Sequence, residues 1–155
     1  MIDPNFTEVD IYPSSIASSM TPLNEATPKL LPEELAVKSA LPALRASIAK
    51  ELMEKHGMTQ TQIADLLGVT QTAVSYYLRD KRGFGAKDSV QEEEVRKTIT
   101  EIALMLAQKE VNRRAVATKF TEALLYIRRH RLLCNVHKQF EPQLDLTACD
   151  VCDTS

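Results

Sequence analysis

Tryptophan is absent from this 155-residue sequence, aromatic residues make up only 5% of it, and glycine occurs just four times. An all-β domain normally carries more turn glycines than that, so strands joined by tight turns are not expected. A core this poor in aromatics must be filled by Leu, Ile, Val and Ala, which points to packed helices. No apolar run approaches the roughly 18 residues that a membrane-crossing helix needs. The N-terminus lacks the basic start and apolar core of a secretory signal. Cysteine is scarce, and Cys134, Cys149 and Cys152 all lie at the C-terminal end. An odd, clustered set does not build a disulfide framework, so a reducing cytoplasm is the expected setting.

What charge there is balances to a net −2. The chain as a whole is therefore no polycation that would coat nucleic acid nonspecifically. The balance hides an asymmetry: Asp3, Glu8, Asp10, Glu25, Glu33 and Glu34 face only Lys29 at the start, whereas the stretch Arg113 to Lys138 is strongly basic. Residues 1–31 hold Pro4, Pro13, Pro22 and Pro28 among many Ser and Thr, with no sustained period. They read as a disordered acidic tail.

From Pro32 the pattern turns helical. Leu41, Leu44, Ile48 and Leu52 recur every three or four residues and form one helix face. Pro42 suits a first-turn position, and Gly57 a left-handed cap after His56. Thr59 and Gln62 then make a capping box, with Ile63, Ala64, Leu66 and Leu67 as the buried stripe. Gly68 ends that helix. Thr70 caps the next, which runs from about Gln71 to Arg79 with Ala73, Val74, Tyr77 and Leu78 facing inward. Lys81 to Gly85 form a basic exit loop. Beyond it, Val95, Ile99, Ile102, Met105 and Leu106 form a stripe after the acidic start Glu92 to Glu94. Asn112 caps a further helix with Val116, Phe120, Leu124 and Ile127 on its apolar face.

Two short helices at a tight turn let the second project into the major groove while the first braces it against the backbone. That geometry needs a small residue where the helices touch, which Ala64 supplies. It needs a turn residue tolerant of positive φ, which Gly68 supplies. Val69, Val74 and Leu78 anchor the second helix from below. The joint pattern is far more specific than any one of these residues.

Met58-Thr59-Gln60 through Ala64, Gly68-Val69-Thr70-Gln71 through Val74-Ser75, and Tyr77-Leu78 with Lys81-Arg82-Gly83 together resemble the xenobiotic-response-element (XRE), lambda-repressor-like family of regulators. The run Leu41 to Ala46 is similar to an archaeal branch of predicted regulators that often ends in a cysteine cluster. The resemblance covers about Leu35 to Gly83 well and the cysteine end loosely. It implies that Gln60 bonds a phosphate and buttresses Gln71. It implies that Gln71, Thr72, Ser75 and Tyr76 occupy the exposed side of the recognition helix, with Thr70, Arg79, Lys81 and Arg82 near phosphates. Gln pairs with adenine and a Thr methyl touches a thymine methyl, whereas phosphate contacts position without specifying sequence. On an arbitrary helix such residues would be a solvated face. Here the motif fixes which face is exposed, and Tyr76 is assigned outward and Tyr77 inward.

Cys134-x2-His137 and Cys149-x2-Cys152 form two pairs, each able to grip a tetrahedral metal from one local turn. Three thiolates and an imidazole suit zinc, and the same set accommodates an iron–sulfur cluster. The plain alternative is three free thiols on a frayed terminus. Arg113, Arg114, Lys119, Arg128, Arg129 and Arg131 around an apolar stripe read first as a solvated face, then as further phosphate contact. Paired stripes between subunits are a third reading, since one short recognition helix reads few base pairs and such proteins commonly dimerise.

The expected fold is all-α: a lambda-repressor-like helix-turn-helix bundle over 32–88, a helical effector or dimerisation region over 89–133 and a small Cys/His metal-binding end over 134–155. The expected function is a sequence-specific, cytoplasmic, DNA-binding transcriptional regulator, homodimeric and responsive to metal or redox state. The alternative is a co-activator-like protein-interaction module with a structural zinc. Such a module would want Leu or Phe where this recognition face has Gln, Thr, Ser and Arg. An enzyme is not expected, because four protein ligands leave a metal no open position and no nucleophile arrangement appears.

Overall fold

The computed structural model describes residues 28–79 and 85–153, and among these every regular element is a helix. The first is α1 (Pro32–Leu35), which passes through a π-helical turn (Ala36–Ala40) directly into α2 (Leu41–His56). Pro42 stands in the first turn of α2, as its chemistry predicts, but the chain is already helical before it, so α1, the π turn and α2 form one continuous rod. The π turn explains how. The Leu41 N–H donates to the Ala36 carbonyl, one residue further back than in an α-helix. This wider turn lies where a proline ring would otherwise press on the preceding turn's carbonyl and leave it without a donor.

The rod ends where glycine permits it. Gly57 adopts φ +62°, and the amides of Gly57 and Met58 both return to the Leu52 carbonyl, closing the helix end. Then follow α3 (Gln60–Leu67), α4 (Gln71–Leu78), α5 (Lys87–Gln91), α6 (Glu93–Leu106), α7 (Arg113–Arg129) and α8 (Cys134–Phe140). Each longer C-terminal helix starts on a side-chain cap: Glu92 accepts from the Glu94 and Val95 amides, and Asn112 from the Ala115 amide at 3.1 Å. Glu92, expected within the acidic first turn, is thus the cap itself.

The rod α2 is the centre of the molecule. It packs on α3 and α4 and also on α5 and α6, while α7 packs on α6 and reaches the π turn. One apolar cluster runs through all of them, from Leu44, Ile48 and Leu52 to Val74, Ile102 and Ile127, each at most 0% exposed. On α6 the stripe is as expected except that Ala103 is buried and Met105 only half-buried. On α7 Val116, Ala123 and Ile127 are buried, with Phe120 and Leu124 only half-buried.

Polar contacts then lock distant segments together. The Arg113 guanidinium donates to the Leu66 carbonyl, fastening the start of α7 to the last turn of α3. Ser89 donates to the Leu132 carbonyl at 2.8 Å. Glu141, only 8% exposed, accepts from the Lys29 amide at 3.0 Å and from the Leu30 amide. Burial pushes its carboxyl pKa up, but the two amides and neighbouring His137 outweigh this and hold it below its ordinary value. Residues 28–31 are thereby held against the C-terminal end. The rest of the segment expected to be disordered, 1–27, lies outside the described residues. No helix among the described residues is long and apolar enough to cross a membrane.

Candidate nucleic-acid interface

The two short helices are placed by their caps. At α3, the Thr59 hydroxyl accepts from the Gln62 amide at 3.3 Å and the Gln62 side chain accepts from the Thr59 amide at 2.9 Å, the reciprocal box expected from the sequence. Gly68 follows in the left-handed conformation, φ +65°, and the Val69 amide returns to the Ala64 carbonyl at 3.0 Å. A side chain at Gly68 would meet no neighbour, so its role is conformational, not a matter of space. Thr70 then caps α4, its hydroxyl accepting from the Ala73 amide at 3.1 Å.

With both ends fixed, helical phase decides which side chains face out. Ala73, Val74 and Tyr77 are buried; Gln71, Thr72 and Arg79 are exposed and Ser75 half-exposed. The tyrosine pair separates as expected: Tyr76 is 40% exposed and Tyr77 only 4%. Gln60, at the first turn of α3, meets these residues from the side. Gln60, Gln71, Thr72, Ser75, Tyr76 and Arg79 line one open depression of about 330 Å³. Six of the nine residues expected to contact DNA thus share one surface. Thr70 stands beside it with its hydroxyl committed to the cap. Lys81 and Arg82 lie outside the described residues.

The cap gives a first test. Thr70→Ala removes the acceptor for the Ala73 amide and should destabilise the fold by about 1 kcal/mol. Because the lost bond orders the first turn of α4, where Gln71 and Thr72 sit, DNA affinity should fall as well. Asn at this position should restore both properties. Denaturant unfolding alongside a DNA-binding titration of Thr70→Ala and Thr70→Asn checks this, and an unchanged Thr70→Ala chain would remove the cap from the account.

The expected basic face on α7 is largely engaged within the protein. Lys119 pairs with Glu101 at 2.9 Å and Glu122 at 3.2 Å. Arg128 pairs with Glu33, Arg131 with Asp153 at 3.4 Å, and Arg113 serves the Leu66 carbonyl. Apart from the i,i+3 pair Lys119–Glu122, these contacts join residues far apart in sequence, and the local pattern does not announce them.

The predicted metal ligands fall at the opposite end from this surface in sequence, on α8 and the tail. Cys134 opens α8, His137 is one turn later at 4% exposure, and Cys149 and Cys152 are half-buried free thiols. Cys134, His137 and Cys152 line a common cavity with Arg128, Arg131 and the α1 residues Pro32 and Leu35. Burial pushes the Cys152 thiol pKa up, with Cys134 and Cys149 nearby acting in the same direction and Arg128 opposing them. Cys134 and then Asp153 beside it raise the Arg131 pKa. Among the described residues, no group of three or more His, Cys, Asp or Glu side chains is arranged to hold a metal ion as it stands.

Residues 50–88, from the second half of α2 through the start of α5, match a family model described as helix-turn-helix. The matched segment contains α3, the Gly68 turn and α4 entire, so the chain carries a helix-turn-helix domain, the kind that binds DNA. No curated protein and no solved structure matches the chain.

Proposed function

We propose that this protein is a sequence-specific transcriptional regulator that reads double-stranded DNA through α4. The observation that supports it best is the shared depression at the front of the helix-turn-helix. Its residues carry amide, hydroxyl, phenol and guanidinium groups and no aliphatic side chain, which is the chemistry of base edges and phosphates. A protein-binding groove of this size would instead be lined by apolar anchors. Gln71 and Ser75 read bases, Thr72 and Tyr76 flank them, and Gln60, Thr70, Arg79, Lys81 and Arg82 hold the backbone.

The protein on this reading is a binder and not a catalyst, and it works in the cytoplasm as a homodimer. An eight-residue recognition helix spans too few base pairs to pick out one site alone, and two copies on a two-fold site double the information. Leu104 on α6 and Leu125 on α7, at 54% and 42% exposure, are the apolar side chains that such pairing would use. Selection of bound duplexes from a random-sequence pool tests the reading directly. A two-fold symmetric consensus is the expected outcome. Recovery of unenriched sequences, with binding that salt abolishes equally for all of them, would overturn sequence-specific regulation.

A further inference from the structure

Beside α1 lies a cavity of about 10 Å³, lined by Pro32, Leu35, Cys134, His137, Cys152 and Arg128. That volume holds roughly one ion or one water. Two buried polar atoms of its lining residues have no hydrogen-bond partner: His137 Nε2 and Arg128 Nε. Buried polar groups are nearly always satisfied, so two orphans at one cavity point to something the cavity takes. His137 Nε2 is 3.5 Å from Glu141 Oε1, too poorly placed for a hydrogen bond. Glu141 already serves the Lys29 and Leu30 amides.

The two orphans ask for different things. An imidazole nitrogen can ligate a metal cation, whereas a guanidinium N–H seeks an acceptor with negative charge. Thiolates ligating a cation satisfy both at once. We propose that Cys134, His137, Cys149 and Cys152 bind a single Zn²⁺ at this cavity. The donor set is that of a closed structural zinc site, and Cys134 and His137 lie one helical turn apart on α8. Three thiolates around Zn²⁺ leave one net negative charge. Arg128 and Arg131 flank the site with N–H groups suited to ligated sulfur, as outer-shell partners of metal ligands commonly are.

The four side chains are not yet arranged around a common point. Binding therefore draws the tail that carries Cys149 and Cys152 toward α8 and turns the His137 ring from Glu141. Three thiol protons leave to solvent, and nothing is oxidised or reduced. The closed site joins the tail, α8 and the underside of α1, which is the first turn of the rod that supports the recognition helix. On its other face α8 seats Val136 against Gly85, two residues before α5; a Cβ on Gly85 would come within 3.2 Å of it. The ion is thus one helix away from the DNA-binding unit on two sides. The assignment does not depend on the DNA reading and is tested without DNA.

The full chain, purified without chelator or added metal, is assayed for zinc by mass spectrometry. The metal-free chain is then titrated with Zn²⁺ and with Co²⁺. One zinc per chain is expected, and a cobalt form with thiolate charge-transfer bands and the strong visible absorption of tetrahedral Co²⁺. In Cys134→Ser/Cys152→Ser both signals should disappear while the helical circular dichroism of the rest is kept. Zinc should also slow amide exchange of Lys29 and Leu30 by about tenfold or more, since it closes the end they are docked on. A wild-type chain that takes up neither metal at equimolar concentration overturns the proposal, as does a double variant that keeps stoichiometric metal. Iron with acid-labile sulfide in the purified chain would equally overturn the assignment to zinc.

Discussion

Replacing Ile48 by alanine is expected to destabilise the protein by about 2–5 kcal/mol. Ile48 is fully buried on α2, the helix that packs on the helix-turn-helix and on α5 and α6 together. Truncation removes its transfer free energy and leaves a cavity that neither layer can collapse into without moving the rod. A domain of this size has only about 5–15 kcal/mol to lose, so the melting temperature should drop by on the order of 10 °C. Ile48→Val, which removes one methylene, should cost only about 0.5–1.5 kcal/mol. Because the apolar cluster is continuous from Leu44 to Ile127, the loss should be felt throughout. Amide exchange in α4 and in α6 should accelerate together. A variant in which α4 loosens while α6 and α7 keep wild-type protection would show that the rod does not couple the two layers.

The same continuity explains what the sequence alone can and cannot disclose. Helix ends are local events, decided within four residues by a cap and a chain reversal. Gly57, Thr59 with Gln62, Gly68, Thr70 and Asn112 therefore stand where their chemistry predicts. The exposed side of α4 is legible for the same reason: once Val74 and Tyr77 are assigned inward, helical phase sends Gln71, Thr72, Ser75 and Tyr76 outward. The π turn before Pro42 is not legible, because proline chemistry alone fits a helix start equally well and the choice is made by packing along the rod. Nor are the contacts that tie the ends together. Arg113 to Leu66, Arg128 to Glu33 and Glu141 to Lys29 and Leu30 span 47 residues or more, and no local periodicity encodes them. They turn residues that read as a basic face or a polar tail into structural fastenings. The cysteine pairs were visible as a spacing, but the orphaned His137 and Arg128 nitrogens beside them appear only once the chain is folded.

The helix-turn-helix surface should divide into residues that choose a sequence and residues that hold any DNA. Gln71→Ala is expected to weaken binding to the selected site by about 1–3 kcal/mol and to change affinity for random duplex much less, because a bidentate amide contact exists only with the right base. Gln71 is exposed at the first turn of α4 and lines the depression, so its removal leaves the core untouched. Arg79, at the far end of the same depression, is expected to behave in the opposite way. If, as proposed, its guanidinium neutralises a phosphate, Arg79→Ala should weaken both DNAs alike and lower the slope of log affinity against log salt by about 0.9. The two variants thus control for each other: both leave buried Val74 and Tyr77 in place, and general unfolding would make them fail together. The measurement is a salt series on selected and random duplex for wild type, each single variant and the double variant. Equal loss on both DNAs for Gln71→Ala would remove it from base reading, and an unchanged salt slope for Arg79→Ala would place that side chain away from the backbone. If both assignments hold, the double variant should combine the two losses nearly additively, because the residues act on different parts of the duplex.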